Sequence, residues 1–133
     1  METRLQDGRT EESAVTRPGM PPPGTALCRL DAIDDPGAKG FVFGGGTQRF
    51  EMFLVRNDGA VRAYVNECPH ALTPLDIWPD RFLTQDETKI VCATHAALFR
   101  IEDGFCTSGP CAGKSLEKLA IEVVDGVVRM AAK

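Results

Sequence analysis

The sequence predicts an all-β domain, an antiparallel sandwich or small barrel. Three observations predict it. First, the apolar runs are brief and rich in Val, Ile, Leu and Phe, the length and composition of strands. Second, Asn57-Asp58-Gly59, Glu102-Asp103-Gly104 and Asp125-Gly126 sit between consecutive runs. Asp-Gly between apolar runs signals a hairpin, because Gly takes a positive φ without a Cβ clash. Third, no stretch holds a 3.6-residue period for long. The chain has 133 residues, enough for one domain with a short tail.

Residues 1–24 read as a disordered or extended N-terminal tail. They are polar, lack apolar periodicity and end in Pro21-Pro22-Pro23, so they bury too little surface to offset their ordering entropy. Residues 25–133 read as the domain. Its expected strands are Thr25–Leu30, Phe41–Phe43, Glu51–Arg56, Val61–Val65, Lys89–Ala93, Leu98–Ile101, Leu119–Val124 and Val127–Met130. Gly44-Gly45-Gly46 reads as a hairpin or bulge loop, and Ser115–Leu119 as a helical turn at most. Residues 66–88 break the spacing: they carry little strand character over a long stretch. A loop of that length in a compact domain has a function or is disordered. Its Leu72, Leu75, Ile77, Trp78, Phe82 and Leu83 argue that it packs against the body; Trp78 is read as packing, with a partner-docking surface as its alternative.

Composition excludes several classes. The net charge is −4, which argues against a nucleic-acid binder. No apolar run is long enough to span a bilayer, and no apolar segment marks a secretory leader. A cytoplasmic protein is expected. The chain has five Cys, an odd number, and only two His.

Both histidines follow a cysteine closely: Cys68-Pro69-His70, and then Cys92-Ala93-Thr94-His95. Two Cys and two His in short-spaced pairs make a four-ligand site for a soft metal. One candidate is Cys2His2 zinc. Zinc sites usually pair like with like, Cys with Cys and His with His; here each pair mixes them. The other candidate is a [2Fe–2S] cluster, with Cys68 and Cys92 on one iron and His70 and His95 on the other.

With Ser108-Gly109-Pro110 added to those two motifs, the chain strongly resembles the Rieske family in its soluble ferredoxin-like branch. The resemblance runs from about Thr25 to Met130. It implies a Rieske-type antiparallel β-sandwich with a small cluster-binding subdomain at about 66–113. Two ligand loops would hold one [2Fe–2S] cluster per chain, and a third, Pro-containing loop would cover it. The implied function is one-electron transfer, from a flavin-containing reductase to a terminal oxygenase or similar enzyme. The chain itself would not be an enzyme. A terminal oxygenase needs two more His and a carboxylate for its mononuclear iron, and both His are already used. A zinc-binding or metal-free accessory module is the alternative.

Neutral imidazoles raise a cluster's potential above that of the all-Cys type, and reduction should raise the His pKa and couple electron to proton uptake. Respiratory-type Rieske proteins resemble C-x-H-x-x-C and C-x-C-H-x-S-x-Y, with a disulfide between the loops. Here Thr73 and Thr94 stand at the extra Cys positions, and Ala97 and Phe99 at the hydroxyl positions. The missing hydroxyl donors predict the low part of the Rieske range, roughly −150 to −100 mV.

Three cysteines remain. Cys28 reads as a buried small hydrophobe. Cys111 is expected to pack near the cluster rather than to pair with Cys106. Ala112-Gly113-Lys114-Ser115 resembles the end of a phosphate-binding loop, but that pattern needs Gly five residues before Gly113, where Ser108 stands.

Overall fold

The computed structural model describes residues 18–69, 73–76, 78, 80–93 and 96–131. Among them the elements are short antiparallel strands and two single 3-10 turns, at Leu30–Ala32 and Gly46–Gln48. The strands are β1 (Ala26–Arg29), β2 (Gly37–Phe43), β3 (Phe50–Asn57), β4 (Ala60–Val65), β5 (Ile90–Val91), β6 (Leu98–Phe99), β7 (Cys106–Ser108), β8 (Lys118–Leu119), β9 (Ile121–Val124) and β10 (Val127–Met130). They form three sheets, in the orders β1-β10-β9, β2-β3-β4-β8 and β5-β6-β7. The all-β antiparallel class is as expected. No helix among the described residues is long and apolar enough to cross a membrane.

Two tight turns sit where the Asp-Gly signals stand. Asp58 and Gly59 have φ of 52° and 80°, and Asp125 and Gly126 have 52° and 76°. Two positive φ values in a two-residue connection match the right-handed twist of the flanking strands. These turns join β3 to β4 and β9 to β10, with Asn57 opposite Ala60 and Val124 opposite Val127.

β3 carries the fold. Its Met52, Phe53, Leu54 and Val55 are all fully buried. Side chains alternate across a strand, so a continuous apolar run needs cover on both faces. Phe53 and Val55 join Tyr64, Leu75, Phe82, Ile90 and Phe99 in one core. Met52 and Leu54 join Ile33, Val65, Leu119, Val128 and Met130 in another. The second core seats the terminal sheet; the first seats the loops that follow β4 and β5.

Three readings need correction. β2 begins at Gly37, four residues before the expected Phe41. Gly37–Gly40 has no apolar run, but β3 offers a complete ladder from Gly37–Arg56 to Phe43–Phe50. β7 was not expected at all. Ser115–Leu119 is not a helical turn: Ser115 bridges Phe105, and β8 pairs with Ala63 and Tyr64 of β4.

Of the expected tail, residues 1–17 lie outside the described residues. Residues 18–24 lie against the body. Pro21 is buried, Met20 packs on the second core, and the Gly24 N–H donates to the Met130 carbonyl (2.7 Å).

Candidate metal centre

The chain leaves β4 at Asn66, whose N–H donates to the Glu51 carbonyl (2.9 Å). Two residues on, the Cys68 N–H donates to the Thr73 carbonyl (2.7 Å). After β5 the same bond recurs. The Cys92 N–H donates to the Ala97 carbonyl (2.9 Å), and the Ala96 N–H returns to the Cys92 carbonyl (2.7 Å). Each cysteine thus opens a loop sealed five residues later. Both cysteines are fully buried and share the first core.

The two loops are tied to one another. The Ala93 N–H donates to the Leu75 carbonyl (2.9 Å). The Leu75 N–H in turn donates to Asn66 Oδ1 (2.8 Å), and Asn66 Nδ2 donates to Asp76 Oδ1 (3.0 Å). Asn66 is buried and uses its amide at both ends. A buried amide without partners would be costly, so this one pins the first loop. Sequence reasoning missed it, because its partners lie nine and ten residues away and no motif marks them.

A third loop closes over the pair. The Cys106 N–H donates to the Lys114 carbonyl (2.7 Å), and the Gly113 N–H to the Cys106 carbonyl (3.1 Å). Gly109, at φ 102°, presses on the second loop; a Cβ there would sit 2.7 Å from Ala97 Cα. Cys106 and Cys111 are buried, with sulfurs 3.1 Å apart. No disulfide joins any of the five cysteines. Burial, first, and the neighbouring Cys106 and Cys68 sulfurs, second, push the Cys111 thiol up to about 12. Cys28 is half-buried rather than buried, with its thiol pushed up by desolvation and eased by Lys39.

The long segment 66–88 packs, as expected, through some of its apolar residues. Leu75 and Phe82 are fully buried, and Phe82 stacks on Phe53 with ring centroids 4.3 Å apart. Asp80 Oδ1 accepts the Gly40 N–H of β2 (2.7 Å). Trp78 corrects the reading: it is 71% exposed. Leu72 and Ile77 lie outside the described residues.

So do His70, His95 and Thr94. Among the described residues no group of three or more His, Cys, Asp or Glu is placed to hold a metal ion. Thr73 is described and exposed; Ala97 and Phe99 are buried and bring no hydroxyl.

The Rieske [2Fe-2S] domain family matches residues 25–125. The chain belongs to that family. Solved structures agree on the fold of this Rieske domain. The ferredoxin of carbazole 1,9a-dioxygenase from Nocardioides aromaticivorans IC177 superposes with a TM-score of 0.65 at 23% identity, over 84% of this chain and 100% of that one. The Sphingomonas yanoikuyae B1 ferredoxin gives 0.60 at 23%, over 81% and 97%. A chain in the reduced complex between oxygenase and ferredoxin of carbazole 1,9a-dioxygenase gives 0.67 at 18%, over 83% of this chain and 28% of that one. No curated protein matches the sequence.

A Rieske domain implies a [2Fe–2S] cluster, and the described residues suit one. Two buried sulfurs stand at the openings of two like-closed loops, and soft thiolates are what iron–sulfur clusters take.

Proposed function

We propose that this Rieske domain is a one-electron carrier, a ferredoxin with one [2Fe–2S] cluster held by Cys68 and Cys92 on one iron and His70 and His95 on the other. Residues 25–133 form the domain and about 66–113 its cluster-binding part. The observation that carries this reading is the pair of loops that open on buried cysteines, each closed by the same backbone bond five residues on and each containing one of the chain's two histidines. When bound, the cluster supplies a site that takes and gives one electron. The chain's own part is to hold two thiolates in an apolar core, away from water. The backbone bonds of both loops and the Asn66 amide fix those sulfurs before any metal arrives.

Several of the neighbours are ferredoxins of carbazole 1,9a-dioxygenase, some of them in complex with its oxygenase. That likeness supports a terminal oxygenase or similar enzyme as the electron acceptor; a flavin-containing reductase as donor and a cytoplasmic location complete the proposal.

The test is direct. The purified protein is expected to be brown, with two irons and acid-labile sulfide per chain. Stoichiometric zinc without iron overturns the reading in favour of a zinc-stabilised accessory module, and a metal-free folded protein favours an interaction module. His70→Cys and His95→Cys should each lower the midpoint potential, because a thiolate adds negative charge where an imidazole adds none.

A further inference from the structure

Three of the five cysteines stand outside the proposed ligand pair of Cys68 and Cys92, and two of those three meet. Cys111 Sγ lies 3.1 Å from Cys106 Sγ and donates its S–H to it. The third, Cys28, packs on the second core, across β3 from them. The backbone brings the pair together. The Cys106 N–H donates to the Lys114 carbonyl (2.7 Å), the Gly113 N–H donates to the Cys106 carbonyl (3.1 Å), and the Lys114 N–H donates to the Cys111 carbonyl (2.9 Å). Both cysteines thus fasten on the same two residues. Residues 107–110 between them are all exposed.

A bond between these sulfurs needs little movement. A disulfide is about 2.0 Å long, so the pair must close by about 1 Å. Closure within so short a loop also costs little chain entropy, because that cost grows with loop length. It removes two S–H donors, one to Cys106 itself and one to the Ser108 carbonyl (3.2 Å). The acceptor left behind belongs to an exposed residue. Burial governs the rate. Both sulfurs are sealed in the first core, and a buried thiol is inert until its cover opens. Here the cover is the cysteines' own loop. One local opening exposes both sulfurs, and the chain keeps them neighbours while it lasts.

We propose that Cys106 and Cys111 are a reversible redox pair: thiols in this structure, and under oxidising conditions a disulfide that fastens the covering loop. The oxidant is a small disulfide of the glutathione class. One cysteine, as its thiolate, attacks a sulfur of the oxidant and expels one thiolate; the other cysteine then displaces the second. One S–S bond forms and one breaks. Two electrons pass to the oxidant, and the two cysteine protons leave on its two thiols. Transient, redox-sensing disulfides of this kind occur in reducing compartments as well. The pair stands apart from the carrier reading and needs neither histidine.

The experiment uses the purified full chain, its iron counted first, held anaerobically in mixtures of reduced and oxidised glutathione. Free thiols are trapped with N-ethylmaleimide in denaturant, and the protein is cut with trypsin. Arg100 and Lys114 bound one tryptic peptide, 101–114, which holds Cys106 and Cys111 and no other cysteine. As the mixture is made more oxidising, this peptide should lose both trapping sites together and emerge two hydrogens lighter. Dithiothreitol should restore both sites. Amide exchange across 101–114 should slow in the oxidised protein. A peptide that keeps both thiols in pure oxidised glutathione overturns the proposal, and so does one that stops at a glutathione adduct. Urea below the unfolding midpoint separates slow access from refusal: closure there supports the pair, whereas closure only after full unfolding overturns it. Equal amide exchange in the two states overturns the fastening of the loop. None of these readouts depends on a cluster. A closing pair in an iron-free protein overturns the ferredoxin reading alone, and a pair that stays open in a brown protein overturns this proposal alone.

Discussion

Single residues set how the fold responds to acid. Asp103 shows it. Arg100 donates to both of its carboxylate oxygens, through Nε at 3.0 Å and through Nη2, and the Phe105 N–H adds a third bond (3.0 Å). The Arg100 bonds, first, and the backbone bond, second, hold the carboxyl down at about 2 against an ordinary 3.8. A depressed folded value means stability that is complete above the ordinary value and lost as pH falls toward the folded one. The window is therefore from about pH 4 down to about pH 2. The pair is close to half-exposed, so solvent screens most of the effect. Asp103→Asn should flatten the stability profile slightly in that window and leave urea midpoints at pH 7 within a few tenths of a kcal/mol. A midpoint loss that is the same at pH 3 and pH 7 would refute the assignment. The ligand candidates were legible at this scale, because Cys and His are rare in the chain and their spacing is local. Asn66 was not. Its meaning depends on Leu75 and Asp76, which only the folded loop brings to it.

Among the elements, the covering loop is specified by one glycine. Gly109 combines a φ of 102° with a would-be Cβ only 2.7 Å from Ala97 Cα. A side chain there faces strain and a backbone clash that no rotamer relieves. Gly109→Ala should cost about 1–3 kcal/mol and lift the loop from the second ligand loop. Urea denaturation and the rate of iron loss to a chelator check it; unchanged values in both would show that the loop does not bear on Ala97. Elements were legible where they carry their own apolar run or turn. β3, β4, β9 and β10 fall where the pattern puts them, to within a residue or two at their ends. β7 and the first half of β2 carry no such run. They become strands because a neighbour offers a ladder: β6 for β7, β3 for β2. That is tertiary context overriding local preference.

For the whole molecule, β3 divides the work. One face holds the terminal sheet and the other holds the ligand loops. Leu54→Ala should lower stability by about 2–5 kcal/mol and Phe82→Ala by about 3–5 kcal/mol. Only Phe82→Ala should also speed iron release in native buffer, since Phe82 anchors the long segment on Phe53. Equal release rates in the two variants would mean that the cores are not separable. That the family's two-loop motif was legible, while the two-core division behind it was not, has a simple cause. The motif is short-range, whereas a buried-both-sides strand reads in sequence only as an apolar run. The long segment leaves a further mark on the molecule. The chain has one Trp and one Tyr, and the fold separates them completely: Trp78 stands 71% in water on that segment, while Tyr64 is sealed between the sheet and Ile101, to whose carbonyl it donates (2.6 Å). The molecule therefore carries two intrinsic optical probes with divided duties. Indole emission reports what approaches the segment beside the first ligand loop, and the phenol reports whether the interior is intact.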